Sequence, residues 1–158
     1  DFSEDVHYEA ELVVRIKKLG KNIQEKFAHK YYDSVTVGLD FTARDLQKKL
    51  KEKGLPWEKA KAFDGSAAIG KWMDLSELEH PNTPSFHLLL NNEKVQEGNT
   101  DLMIFGINRL IAHISKYFTL KIGDLVFTGT PAGVGRVQKN DILQLFLEDQ
   151  QVLQLNVK

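Results

Sequence analysis

The chain of 158 residues contains no cysteine. That excludes disulfides and thiolate metal centres, and it fits a reducing, cytoplasmic setting. It has no apolar run near the ~20 residues needed to span a bilayer, and its acidic first residues lack the basic and apolar regions of a signal peptide. No membrane partner is expected. An excess of either charge is also missing: 21 Lys and Arg stand against 22 Asp and Glu. The densest basic stretch, Lys48 to Lys53, interleaves with apolar residues as a helix face does, so no nucleic-acid partner is expected. There is no internal repeat, low-complexity tract or linker. The chain also lacks an initiator Met and starts almost directly on a strand pattern, so residues are expected before Asp1.

What is present is ordinary for a folded domain: 42% hydrophobic and 27% charged residues. A chain of this length suits one domain, residues 1–158, that buries about two-thirds of its unfolded surface. The stretch that organises it is Val6–Ile16. Val6, Tyr8, Ala10, Leu12, Val14 and Ile16 alternate with His7, Glu9, Glu11, Val13 and Arg15, which predicts one long β-strand. Glu9 and Glu11 then point the same way, roughly 6.5–7 Å apart along the strand. Two like charges so placed repel each other, and a hard cation between them would turn that cost into binding energy.

Farther along, Asn22 is placed to cap a helix through Ile23, Phe27 and Tyr31. Val35–Phe41 is a second strand, β-branched and apolar, in which Asp40 is conspicuous: a buried Asp is almost always paired or metal-bound. Thr42 opens a capping-box variant, with Asp45 at its fourth position, for a helix ending at Gly54. Arg44 and Gln47, three residues apart, share a face of it. Gly65–Lys71 matches the spacing of a phosphate loop, but Trp72 stands where Ser or Thr would hold magnesium and no apolar strand feeds the first glycine, so nucleotide binding is not expected there.

Phe86–Leu90 and Val95–Glu97 read as a hairpin around Asn91–Lys94. Asn99 or Thr100 would cap the longest helix, with the core stripe Met103, Ile107, Leu110, Ile111, Ile114 and Phe118. A short strand then opens on the glycine-rich loop Thr128–Gly135, whose backbone N–H groups could approach an anion. Asp141–Leu147 and Val152–Val157 form a closing hairpin. Many strands, about three helices and no βαβ alternation predict an α+β fold, mostly β, with a mixed sheet system.

Five stretches in order carry a resemblance: His7–Leu12; Gly38–Gln47; Lys53–Trp57 with Lys61–Asp64; Gln96–Thr100; and Thr128–Gly135. Together they resemble the fumarylacetoacetate hydrolase family across nearly the whole chain, most closely its small acylpyruvate hydrolases and oxaloacetate decarboxylases. The resemblance implies a mixed β-sandwich roll, a homodimer, a small keto-acid substrate and a Mg²⁺ or Mn²⁺ site, with Ca²⁺ as a possible substitute. It implies Glu9, Glu11 and Asp40 as metal ligands and Arg44, Gln47 and Lys61 facing the keto acid, with Lys61 catalytic. Thr130 would hold a carboxylate. The implied activity is metal-dependent cleavage of a C–C bond in 2,4-dioxo acids, or decarboxylation of a β-keto acid such as oxaloacetate. The alternatives are 2-hydroxyhepta-2,4-dienedioate isomerisation or decarboxylation, and a non-catalytic keto-acid binder. The family's N-terminal lid, with its Arg-Asn-Tyr stretch and the His-x-x-Glu pair that supplies the general base, has no counterpart here; either it precedes Asp1 or the domain is not competent as it stands.

Overall fold

The alternation over Val6–Ile16 produces extended backbone, but as two strands and not one. In the computed structural model, which describes residues 2–158, β1 (Val6–Tyr8) and β2 (Ala10–Ile16) are separated by Glu9. β3 (Tyr32–Asp40) runs antiparallel to β2, and β4 (Thr42–Ala43) runs antiparallel to β1. The register is the same on both sides of the break. Val6 and His7 face Ala43 and Thr42, and Ala10 and Glu11 face Leu39 and Gly38. Glu9 therefore stands opposite Asp40, and the Asp40 N–H donates to the Glu9 carbonyl at 2.9 Å. At this level both arms of the ribbon leave one sheet and enter another.

One of these sheets has five strands, ordered β5 (Ala67–Ile69), β3, β2 and β9 (Leu125–Phe127), with β6 (Met73–Asp74) pairing β3 beside β5. The other has three, with β1 between β4 and β10 (Gly135–Arg136). A third, four-stranded sheet is built from two hairpins. It is ordered β12 (Gln150–Asn156), β11 (Ile142–Leu147), β7 (Ser85–Leu90) and β8 (Glu93–Asn99). Leu12, Val14, Ile16, Val35, Val37 and Leu39 of the five-stranded sheet share one core with Leu88, Leu143, Leu145 and Leu147 of the four-stranded one. The other face of β2 is covered too. Val13 is as fully buried as Leu12, and a Cβ on Gly38 would come within 2.9 Å of Val13 and 3.0 Å of Phe127. Glu11 thus lies on a packed face, not a solvated one.

The structure is mostly β with three helical segments of seven residues or more: the 3₁₀ helix Glu25–Tyr31, α1 (Arg44–Glu52) and α2 (Ile107–Tyr117). No helix among the described residues is long and apolar enough to cross a membrane. Three helix starts differ from the sequence pattern. Asn22 adopts φ 52 and caps nothing; Gln24 precedes the 3₁₀ helix. Thr42 does not cap α1, because it is drawn into β4 opposite His7, and Ala43 takes the cap position without a side-chain bond. The stripe from Met103 does not begin one long helix either. Asn99 caps a single 3₁₀ turn, Thr100–Leu102, by accepting from the Asp101 N–H at 2.8 Å, and α2 starts only after Gly106, whose ψ of 163 is extended. Ile111 is core. Met103 and Leu110 line a cavity, and Phe118 is 68% exposed.

Candidate active site

The change of sheet at Glu9 and Asp40 sets the site. Glu9 leaves β1, Glu11 follows two residues later on β2, and Asp40 ends β3 across the ladder. Carboxyl oxygens of the three lie within 4.8 Å of one another. Like charges directly opposed on a ladder are unfavourable, and Glu9 and Glu11 are only 8% and 5% exposed. Two cations answer them. Arg44, the first residue of α1, follows β4 closely enough to reach back: its Nη2 donates to Glu9 Oε1 at 2.5 Å while Nη1 donates to Gln47 Oε1 at 3.0 Å. Gln47, one helical turn on and itself buried, fixes the guanidinium plane. Lys61 follows the short 3₁₀ helix Glu58–Ala60, and its Nζ donates to Glu9 Oε2 at 2.7 Å and to Asp40 Oδ2 at 2.6 Å.

These pairings sort the acids. Burial alone would raise the Glu9 carboxyl, but Lys61 and Arg44 together hold it below the ordinary carboxylate range. Burial raises Asp40, and the Lys61 ammonium only partly offsets it. Burial would lower Lys61, yet its bonds to Asp40 and Glu9 outweigh that and hold it as a cation. Glu11 has no ion pair among the described residues. Burial pushes it up to about 7, helped by Asp40 and Glu9 and opposed by the Gly129 N–H, which donates to Glu11 Oε2 at 2.6 Å. The cluster holds three carboxyl groups and two cations, and at Glu11 the Gly129 N–H and the Lys61 charge compensate only in part. An all-oxygen donor set of this size fits a hard divalent cation.

The glycine-rich loop is strapped to β2. Thr128 Oγ1 donates to the Leu12 carbonyl at 2.9 Å and Thr130 Oγ1 donates to the Ala10 carbonyl at 2.8 Å. Gly133, at φ 100, passes so near β8 that a Cβ would fall 2.2 Å from the Val95 carbonyl oxygen. The structure thus gathers Glu9, Glu11, Asp40, Arg44, Gln47 and Lys61 into one cluster, with Glu9, Asp40, Arg44, Gln47 and Lys61 joined by hydrogen bonds and Glu11 beside them, and it joins Thr130 to the cluster through Ala10. The Thr130 hydroxyl proton is already given to the Ala10 carbonyl, which makes that hydroxyl a strap and leaves it no proton for a ligand. Two contributors lie inside motif stretches but were not singled out as site residues. One is the Gly129 N–H of the glycine-rich loop, where the anion approached is the Glu11 carboxyl. The other is Gln96, 2% exposed on β8, the first residue of the Gln96–Thr100 stretch, on the inward phase of an otherwise polar strand.

A β-rich domain whose strands change sheet at a buried carboxylate–cation cluster defines the class of protein. The chain belongs to the fumarylacetoacetate hydrolase family: the family's C-terminal domain matches residues 1–158. It is 45% identical over 139 residues to an oxaloacetate tautomerase of Escherichia coli K12, covering 87% of this chain and 64% of that protein. It is 37% identical over 142 residues to a mitochondrial oxaloacetate decarboxylase of Dictyostelium discoideum, covering 90% of this chain and 65% of that protein. The crystal structure of a fumarylpyruvate hydrolase from Pseudomonas aeruginosa, in complex with Mn²⁺ and pyruvate, superimposes with a TM-score of 0.93 at 38% identity. That match covers 99% of this chain and 67% of that one. The chain thus spans about two-thirds of each.

Proposed function

We propose that this domain is the keto-acid-handling part of a divalent-cation-dependent enzyme whose central step forms the enolate of a 2-keto acid. The observation that carries the reading is the cluster of three carboxyl groups within 4.8 Å, braced by Lys61 and Arg44. Glu9, Glu11 and Asp40 would hold Mg²⁺ or Mn²⁺, which when bound supplies positive charge to the oxygens of the keto acid. Lys61 and Arg44 add two fixed cations beside the same spot. An enolate carries more charge on oxygen than its parent ketone, so cations held there favour the transition state over the ground state. Burial strengthens their effect by lowering the local dielectric. Lys61, held protonated by its two carboxylates, serves as an electrostatic and proton-donating group; Gln47 keeps Arg44 in plane.

Loss of CO₂ from a β-keto acid requires no attacking water and no base at carbon: the carbon–carboxylate bond breaks to leave the enolate, which Lys61 can protonate. Keto–enol exchange also needs no water, but it requires an acceptor for the proton leaving the carbon between the carbonyls as well as a donor to the enolate oxygen, and Lys61 supplies only the donor. The tautomerase and decarboxylase relatives support a preference for these two reactions. The second reading is C–C hydrolysis of a 2,4-dioxo acid. It is favoured by the likeness to the fumarylpyruvate hydrolase, and it additionally requires a base to activate water.

The test is calorimetry with oxalate, which mimics the enolate of pyruvate, with and without Mn²⁺, beside assays of oxaloacetate decarboxylation, its keto–enol exchange and acylpyruvate cleavage. Oxalate is expected to bind only with the metal present. Lys61→Met, which removes a cation facing the anion, is expected to weaken it by about tenfold, the ~1.4 kcal/mol scale of one charge-assisted bond. Oxalate binding that ignores the metal would remove the basis of the reading.

A further inference from the structure

We infer that Gln96 is a positioning residue for the carboxylate site, acting through a closed ring of hydrogen bonds that fixes the backbone between Glu9 and Glu11. The role rests on the metal-site reading above, and the experiment below separates the two. Gln96 lies on β8, far from the cluster in sequence, and is 2% exposed. Its Oε1 accepts from the Ala10 N–H at 2.9 Å. Its Nε2 donates to Thr130 Oγ1 at 2.9 Å and to the Pro131 carbonyl at 3.1 Å. The Thr130 hydroxyl then donates to the Ala10 carbonyl at 2.8 Å. Both polar groups of Ala10 are therefore held, one by Gln96 and one by the residue Gln96 holds.

The chemistry of the ring admits one arrangement. Ala10 N–H and Pro131 C=O require an acceptor and a donor respectively, so the amide cannot be turned over without two mismatches. The hydroxyl of Thr130 has one proton, given to Ala10, which leaves its lone pair for Nε2. Ala10 opens β2 immediately after the break at Glu9; it pairs with Leu39 of β3 on one side, but on the other side the β9 ladder begins only at Val13. The adjacent residue on the loop, Gly129, donates to Glu11. Displacing Ala10 or the loop would move both Glu9 and Glu11 relative to Asp40. A buried glutamine serves here where a leucine of similar size would fill the space but leave Ala10 N–H and Pro131 C=O without partners.

The measurement is Mn²⁺ affinity, with the metal as the only ligand, by titration of the free-ion electron paramagnetic resonance signal. It is made on the native protein, Gln96→Met, Thr130→Val, the double variant and Leu143→Ala. Leu143 is buried in the same core, and its ladder partners, Leu90 and Leu155, are not members of the ring. Gln96→Met and Thr130→Val are each expected to weaken Mn²⁺ binding by about 10- to 100-fold, the usual worth of a partner that orients a metal ligand. The double variant is expected to bind no more weakly than the weaker single one, because both break one ring. Leu143→Ala is expected to lower the melting temperature while leaving Mn²⁺ affinity within about twofold. Should Gln96→Met not fold, Thr130→Val reads the same ring. Native Mn²⁺ affinity in both ring variants, additive losses in the double variant, or an equal loss in Leu143→Ala would overturn the role of Gln96 alone. Failure of the native protein to bind Mn²⁺ would overturn the metal site and this role with it.

Discussion

Leu88, Leu143, Leu145 and Leu147 on the four-stranded sheet are 0–1% exposed; Glu9 and Glu11, where the ribbon passes into the five-stranded one, are 8% and 5% exposed. Depth of burial is nearly the same, and the energetics are opposite. Each leucine gains about 1.5–3 kcal/mol by leaving water. Each carboxylate loses solvation and recovers it only through the partners the fold supplies, completely at Glu9 and incompletely at Glu11. The hairpin sheet holds the molecule together, and the acid cluster strains it. A site that stores unfavourable charge in this way is primed for a cation, because the cation relieves what the fold cannot.

The contrast can be broken most forcefully from the apolar side. Leu145→Ala removes a fully buried side chain between two ladder partners and is expected to cost about 2–5 kcal/mol. For a chain of this size that is roughly 2–4 °C of melting temperature per kcal/mol. Mn²⁺ affinity, normalised to folded protein, should not move. A large affinity loss would mean that core and site are not separable.

From the charged side the sign reverses. Glu11→Gln removes the least compensated acid and keeps an oxygen for the Gly129 N–H. The folded-state pKa of about 7 lies above the ordinary 4.5. A raised acid stabilises the fold relative to its charged form below pH 4.5, and that stability is lost as pH climbs through about 7. At 1.36 kcal/mol per pKa unit the loss reaches about 3 kcal/mol in metal-free protein. Glu11→Gln should therefore be more stable than the native protein at pH 8, with the gap closing toward pH 5, while its Mn²⁺ binding collapses. Chemical denaturation in EDTA at the two pH values checks the first part. For the native protein, Mn²⁺ must displace the Glu11 proton, so its apparent affinity should fall by up to about tenfold per pH unit below 7 and level off above it. A flat affinity from pH 6 to 8 would show that Glu11 is already ionised or is not a ligand.

The two regions also differ in how far the sequence speaks for them. The hairpins are written locally. Short apolar runs mark β7 and β11, and the Asn91-Asn92 pair supplies two residues at φ 52 and 70, the conformation of a two-residue hairpin turn. The acids were legible one by one: Glu9 and Glu11 by their spacing, Asp40 as an acid in an apolar strand, Arg44 and Gln47 by their shared helix face. Their assembly was not. The break at Glu9 leaves no trace in the pattern, because both halves stay extended and keep the same register. Gln96 meets Ala10 across 86 residues and Gly129 meets Glu11 across 118, contacts made by topology and not by any local preference. Thr42 looked like a helix cap because its local sequence is one; pairing with His7 won instead. Met103 fitted a helical stripe until the extended Gly106 restarted the helix beyond it.

The finest test of the contrast adds stability to the hairpin sheet and asks whether the site notices. Asn91 and Asn92 both occupy left-handed backbone, but only Asn91 is tied to the neighbouring hairpin. Its Oδ1 accepts from the Ile142 N–H at 2.9 Å and its Nδ2 donates to Asp141 Oδ1 at 2.9 Å. Asn92 is exposed at φ 70. Glycine reaches that conformation without a Cβ clash, and Asn followed by Gly is the preferred pair for this turn; against the gain stands the greater freedom of glycine in the unfolded chain. The balance for Asn92→Gly is expected to favour the fold by about 0.5 kcal/mol. Asn91→Gly should go the other way, since the Ile142 N–H and Asp141 would lose a partner. Denaturant midpoints resolve both signs at constant m-value. Because the turn precedes Gln96 on β8 and makes none of the ring's hydrogen bonds, Mn²⁺ affinity should be identical in both variants. A shift in affinity with either would mean that the hairpin sheet sets the position of the carboxylates through more than Gln96, and the division between the two regions would fail at its smallest scale.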